Sequence, residues 1–305
     1  MQAIRIHRFG GPDVLQLDEI DKPSTDGGKL RIKVAAAGVN PVDYKIRRGG
    51  YHGVSDADLP ITLGKDVAGV VENAAGEFKV GDEVYAHLTW PDGAYADYAV
   101  VAPSGAAAKP KSLDMIAAGG VPLAATTAWQ GLFDHGGLKS GQTVLIHGGS
   151  GGVGGFAVQF ARAKGARVIA TASGEGLQTV RDYGADEVVD YQTQKFEDVA
   201  HDVDLVFDLI GGDTQERSFA VLKPGGALIS TVQEPDKAKA AEKSLKAERY
   251  MATPNGAQLA EIAALIDAGK VKVVVAKTFP LAEAADAHRF LENDHPIGKV
   301  VLITV

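Results

Sequence analysis

Residues 143–164 set three spaced glycines between an apolar run and a helix-like segment, and that order restricts the fold more than any other stretch of the chain. Val144, Leu145 and Ile146 form the short apolar run of a strand buried on both faces. Gly149, Gly151 and Gly154 follow as G-x-G-x-x-G, with Ser150, Gly152 and Val153 between them. Phe156, Phe160 and Ala163 then recur at helical spacing. The first glycine permits a tight turn, the second lets backbone amides approach a pyrophosphate, and the third lets the helix pack closely on the sheet. The free N–H groups and positive dipole end of such a helix suit an anion. We therefore expect a dinucleotide loop built from Gly149, Ser150, Gly151, Gly152, Val153 and Gly154. Ser150 also stands in a G-G-S-G-G context, superficially a hydrolase elbow, but no Asp/His pair is ordered to complete a triad.

The next strand decides which dinucleotide. Arg167–Thr171 reads as the second strand of a βαβ unit, and an NAD enzyme ends this strand in Asp or Glu to bind the ribose hydroxyls. That point falls on Ala172 or Ser173, the former 18 residues after Gly154, and neither is a carboxylate. A 2′-phosphate would not be repelled there. Ser173 can donate to it and Arg181 is the nearest downstream cation, with Glu175 the competing candidate for the ribose. NADPH is the expected cofactor. Tyr191, after a third strand at 187–190, either packs on the adenosine side or is an ordinary tyrosine. Asp208 and Gly211, at the end of the fourth strand, shape the floor under the cofactor, unless Asp208 is a loop cap.

The rest of the chain has two characters. Residues 1–110 carry short alternating strands at 3–7, 29–36, 68–72, 83–88 and 95–101, broken by Gly, Pro and Asp, as in an antiparallel barrel-like domain. From about Ala117, helices alternate with buried strands at 144–147, 167–171, 187–190, 204–208 and 227–231, the pattern of a doubly wound α/β sheet. Segment 234–247 is expected to be a solvated helix or loop, 258–268 an amphipathic helix, and 271–275 and 299–305 terminal strands. With 305 residues the chain can build two cores. Its net charge of −8 argues against nucleic-acid partners and anionic membrane surfaces. No secretory leader or membrane-spanning run is visible. Zero cysteines rule out disulfides, thiolate metal sites and thiol nucleophiles, and a cytoplasmic address is expected.

Eight segments in order resemble the medium-chain dehydrogenase/reductase superfamily, in its zinc-free quinone oxidoreductase branch. They begin at residues 9–15 (F-G-G-P-D-V-L), 37–44 (A-G-V-N-P-V-D-Y), 64–69 (G-K-D-V-A-G) and 78–84 (F-K-V-G-D-E-V), then the glycine segment. Residues 206–212 (V-F-D-L-I-G-G), 222–226 (L-K-P-G-G) and 298–302 (G-K-V-V-L) complete them. The resemblance implies a GroES-like β-barrel catalytic domain from residues 1–118 and 272–305. It also implies a Rossmann doubly wound parallel-sheet domain at 119–271, a cofactor cleft where they meet, and a homodimer.

The departures from zinc-bearing relatives carry information too. Those enzymes place Cys where Asn40 stands and Gly-His-Glu where Gly64-Lys65-Asp66 stands. An amide and a cation are poor substitutes for zinc ligands, so no metal is expected. The resemblance then implies NADPH-dependent hydride transfer to quinones or α,β-unsaturated carbonyls, with Asn40, Tyr51 and Thr127 near the nicotinamide. Asn40 either holds a ribose hydroxyl or acceptor oxygen, or serves a structural turn. Tyr51 donates to substrate or shields the cleft. Thr127 approaches the nicotinamide or bonds within its own helix. Lys65 either steadies an oxyanion with an ammonium of lowered pKa or pairs with Asp66 or another carboxylate. His147 and the other seven histidines show no metal-ligand spacing. A non-catalytic NADPH-binding protein is the competing reading.

Overall fold

The computed structural model describes every residue except His52, His295 and Val305. The chain divides into two compact units, Met1–Thr126 with Thr253–Ala268 and Val273–Val305, and Thr127–Ala252 with Gly269–Lys272.

The first unit is built on a sheet in the order Val275–Pro280, Lys299–Ile303, Leu30–Val39, Asp66–Val71, Glu83–His87 and Ala106–Ala108, with Tyr98–Val101 also on Leu30–Val39. All these neighbours are antiparallel except the first pair. Leu30, Ile32 and Val34 alternate inward, as the strand period of two requires, and join one apolar core with Val67, Val84 and Leu302. A smaller sheet pairs Gln2–Ile6 with Leu15–Glu19 and Ile61–Thr62. Gly38 lies where a Cβ would come within 2.5 Å of the Asp66 carboxylate and 2.7 Å of the Gly119 carbonyl. Its lack of a side chain lets both approach.

In the second unit six parallel strands run in the order Glu187–Asp190, Arg167–Ala172, Thr143–Ile146, Val203–Asp208, Leu222–Ser230 and Lys246–Arg249. Strand order reverses between Thr143–Ile146 and Val203–Asp208. Ligands of doubly wound sheets bind at the carboxyl ends of strands at such a point. Among the described residues, no helix is long and apolar enough to cross a membrane.

Three expectations change. Segment 234–247 holds the helix Lys237–Glu242, one of its expected forms, but ends in the first half of a sixth strand, which stands at the sheet edge and buries only Ala247. The strand expected at 271–275 runs instead from Val275 to Pro280, exposed at the edge of the first unit's sheet. Residues 119–126 and the helix Gly256–Asp267, expected in the inserted domain, belong to the first unit. A Cβ on Gly256 would lie 2.2 Å from the Ala106 carbonyl, Tyr85 Oη donates to the Leu259 carbonyl at 2.6 Å, and Ser112 holds Asp267. These contacts are 150 or more residues apart in sequence, so local pattern does not announce them.

Candidate functional site

The glycine loop joins strand to helix as expected, but its left-handed turn falls on Gly148, one residue before the first glycine of the motif. Thr143–Ile146 ends at His147, and Gly148 turns at φ +79°. Thr171 steadies the turn: its carbonyl accepts Gly149 N–H at 2.9 Å and its hydroxyl accepts Gly148 N–H at 3.1 Å. The helix Gly152–Ala163 starts at Gly151, which offers no side-chain cap. Its first N–H groups are those an intrahelical ladder leaves without partners. A Cβ on Gly154 would stand 2.0 Å from the Gly148 carbonyl oxygen, so this glycine lets the helix close on the loop, while Gly151 faces nothing nearer than 3.5 Å. Open backbone at Gly151 and an uncapped helix start fit a pyrophosphate. Ser150 Oγ lies beside Gly176, where a Cβ would approach it to 2.7 Å. His147 is wholly buried between Ser218 Oγ at 2.9 Å and Thr171 Oγ1 at 3.3 Å, and burial pushes its pKa down to about 4. It is a neutral packing residue.

At the carboxyl ends of the neighbouring strands, Ser173 Oγ donates to Tyr191 Oη at 2.8 Å. The structure thus joins two of the sequence candidates into one hydroxyl pair, with Tyr191 60 % exposed. Arg181 lies exposed in the last turn of Gly176–Asp182, and among the described residues no hydrogen bond or ion pair links it to that pair. Glu175 is exposed where that helix begins. Asp208 is the loop cap. Its Oδ1 accepts Ile210 and Gly211 N–H groups at 3.0 and 2.9 Å, and its Oδ2 accepts Gln215 Nε2 at 2.9 Å and Ser230 Oγ at 2.8 Å. Four donors use the carboxylate fully, and the loop it fixes carries Gly211 at φ +78°.

The first unit holds the other group of candidates. Asn40 is buried, with Nδ2 donating to Asp66 Oδ2 at 2.8 Å and Oδ1 accepting from Lys299 Nζ. Lys299 Nζ also stands 3.7 Å from Asp66 Oδ2, and Asp66 Oδ1 accepts Leu123 N–H, tying the start of helix Pro122–Trp129 to the cluster. Asn40 is therefore occupied on both sides of its amide. Asp43 accepts Asn40 N–H at 2.8 Å and Tyr95 Oη–H at 3.0 Å. Burial raises its pKa to about 6, against those hydrogen bonds. Arg47 is fully buried and pairs with Glu292 at 2.7 Å.

Lys65 does not pair with Asp66. Its Nζ donates to the Asp92 carbonyl at 2.6 Å and sits 5.4 Å from the Trp90 ring centroid. With 6 % of its surface exposed, burial pushes its pKa down to about 8, opposed by the charges of Asp43 and Asp92. Tyr51 is half-buried and packs on the first unit's core. Thr127 lies buried in helix Pro122–Trp129, its carbonyl accepting the hydroxyl of Tyr250. Sequence reasoning missed the roles of Thr171, Lys299 and Tyr250. Thr171 closed the expected second strand and Lys299 lay in the G-K-V-V-L segment, whereas no motif marked Tyr250.

Comparison with known proteins agrees with this fold. The chain matches the alcohol dehydrogenase GroES-like domain over residues 26–111 and the zinc-binding dehydrogenase family over residues 183–302. It is 39% identical to the NADPH-dependent alkenal/one oxidoreductase, chloroplastic, of Arabidopsis thaliana, across 100% of this chain and 80% of the relative. The quinone oxidoreductase structure from Coxiella burnetii superposes with a TM-score of 0.92 at 32% identity, covering 100% of this chain and 99% of that one. The chain belongs to the medium-chain dehydrogenase/reductase superfamily, in its quinone-oxidoreductase-type branch. For this superfamily the Escherichia coli quinone oxidoreductase complexed with NADPH gives a TM-score of 0.88 at 28% identity, covering 99% and 100% of the two chains. Zinc does not fit this member of the superfamily. At the positions of the metal ligands stand an amide engaged by Asp66 and Lys299, the ammonium of Lys65, and an Asp66 already neutralised by the Lys299 ammonium.

Proposed function

We propose that this chain is an NADPH-dependent, metal-free reductase of quinones or α,β-unsaturated carbonyls. The observation that carries the proposal is the buried Lys65 ammonium, which stands in a zinc-ligand position, touches a carbonyl rather than a carboxylate, and has a pKa lowered to about 8 by burial. Bound NADPH supplies a hydride from nicotinamide C4. An acceptor taking that hydride at a quinone carbon or an enone β-carbon develops an oxyanion. Lys65 steadies that charge and holds a proton that can complete the reduction. The Gly149–Gly154 loop and the start of its helix hold the pyrophosphate. Ser173 and Tyr191 offer hydroxyls to a 2′-phosphate, with no carboxylate at the strand end to repel it. The Arabidopsis NADPH-dependent alkenal/one oxidoreductase and the Escherichia coli quinone oxidoreductase complexed with NADPH, both similar to this chain, support the cofactor and the acceptor class. We also propose a cytoplasmic homodimer: the family resemblance supports the dimer, and the lack of cysteine suits a reducing compartment. Sedimentation at equilibrium checks the mass.

The test is NADPH oxidation at 340 nm with a quinone, a 2-alkenal, a cyclic enone and a saturated ketone, each repeated with NADH and with a chelator. Chelator-insensitive turnover of a conjugated acceptor with NADPH is the expected result, and the better acceptor assigns the branch. Turnover of the saturated ketone alone, or tight NADPH binding without turnover, overturns the reading.

A further inference from the structure

The second unit contains an irregularity that the proposed reaction does not by itself explain. Helix Pro122–Trp129 continues as a π-helix over Gln130–His135, where Gly136 N–H reaches back five residues to the Gly131 carbonyl at 2.9 Å. At this junction stands the phenol of Tyr250. Its hydroxyl donates to the Thr127 carbonyl and accepts the Gly131 N–H. In a regular α-helix those two backbone groups would bond to each other. The phenol oxygen bridges that step of the ladder, and π turns concentrate at functional sites.

The surroundings are built to hold the phenol there. A Cβ on Gly131 would lie 2.5 Å from Tyr250 Oη and 2.3 Å from the Phe207 ring, so only glycine admits both. The Tyr250 ring stacks on His135 with centroids 4.3 Å apart, and His135 Nδ1 is bonded to Glu248 Oε1, two residues before the tyrosine. Tyr250 is 6 % exposed. On the far side of the turn Trp129 meets Phe133 edge-on at 4.9 Å.

We propose that Tyr250 is a positioning residue for hydride transfer: by bridging Thr127 and Gly131 it fixes the helix register from which Thr127 approaches the nicotinamide. The proposal rests on the reading that Thr127 serves the nicotinamide end. Substituting Tyr250→Phe removes one oxygen and lets Thr127 C=O and Gly131 N–H bond directly, so the fold is retained. Gly131→Ala displaces the phenol by a second route.

The experiment measures single-turnover NADPH oxidation in Tyr250→Phe, Thr127→Val and the double variant, with NADPH affinity in parallel. Each single variant is expected to slow hydride transfer on the order of tenfold, with NADPH affinity little changed. The double variant should be no slower than the worse single one, because both act through one group. Gly131→Ala should slow it in the same way. If Thr127→Val slows the step and Tyr250→Phe does not, the positioning role is overturned while the Thr127 reading stands. If Thr127→Val has no effect, the Thr127 reading fails, and the positioning role with it. A Tyr250→Phe protein that loses thermal stability but transfers hydride at the wild-type rate has lost packing only, which also overturns the proposal.

Discussion

A charged lysine held away from water without a carboxylate partner costs folding free energy, and Lys65 is such a residue. Its pKa falls from 10.5 to about 8, chiefly through burial. That shift corresponds to about 3 kcal/mol of unfavourable interaction at neutral pH. The hydrogen bond to Asp92 C=O returns about 1 kcal/mol. Substituting Lys65→Met should therefore raise stability by roughly 1–2 kcal/mol while lowering kcat/KM on the order of a hundredfold or more. Denaturant unfolding and steady-state kinetics on one preparation check both halves. Two pH signatures follow. The wild-type rate should fall as pH rises through about 8, as Lys65 loses its proton, and this limb should vanish in the variant. Because the folded pKa lies below the unfolded one, the unfolded chain binds more protons between about 8 and 10.5. Lys65's share of stability therefore grows with pH across that window, and the variant lacks it. At the other end of the chemistry, Ser173→Asp places a carboxylate beside the proposed 2′-phosphate. At partly exposed range this costs roughly 2–3 kcal/mol, so KM for NADPH should rise about a hundredfold with KM for NADH little changed.

Among the elements, the glycine loop is the tightest fit. A methyl on Gly154 would meet the Gly148 backbone oxygen at 2.0 Å, and a backbone atom cannot rotate aside. Gly154→Ala should push the helix Gly152–Ala163 off the sheet, costing about 3 kcal/mol and weakening NADPH binding, as unfolding and cofactor titration would show. This element was legible in the sequence because its information is local: strand, loop and helix lie within 22 consecutive residues. The positions of Ser173 and Tyr191 were legible for a related reason, since both residues follow strands whose spacing the pattern gives, while their hydrogen bond came only from the fold. The sixth strand was not. Lys246–Arg249 is Lys-Ala-Glu-Arg, an edge strand with one buried side chain, and edge positions tolerate the composition of a solvated helix. Asp208 could be placed at its strand end, but its four bonds come from residues 210, 211, 215 and 230, which only the fold gathers. The same holds for Asn40. Its position was evident from the motif, while its second partner, Lys299, lies 259 residues away.

That long-range partner matters at the scale of the whole chain. The first unit is assembled from three separate segments, and its final strand, Lys299–Ile303, lies against Leu30–Val39 in the sheet. The side chain that links this strand to Asn40 and Asp66 is charged, not apolar. Lys299 is nearly inaccessible, Asp66 wholly so, and burial drives the lysine pKa down and the aspartate pKa up. The charge of each opposes the shift that burial imposes on the other. A pair of this kind adds little over an apolar one, but removing one member strands a buried charge. Lys299→Met should therefore cost roughly 3–5 kcal/mol at pH 7. Asp66, left without its ammonium, would then take up a proton more readily. Acidifying from pH 7 to 5 should thus relieve part of the penalty, and the gain should exceed that of the intact pair, where Lys299 opposes the upward shift of Asp66. Asp66→Asn in the Lys299→Met background removes the orphaned charge while its amide oxygen can still accept Leu123 N–H. The double variant should be more stable than Lys299→Met alone. Denaturant unfolding of the four proteins at both pH values checks this, and a double variant no better than Lys299→Met would show that packing of the aliphatic stem, not charge, holds the last strand in place.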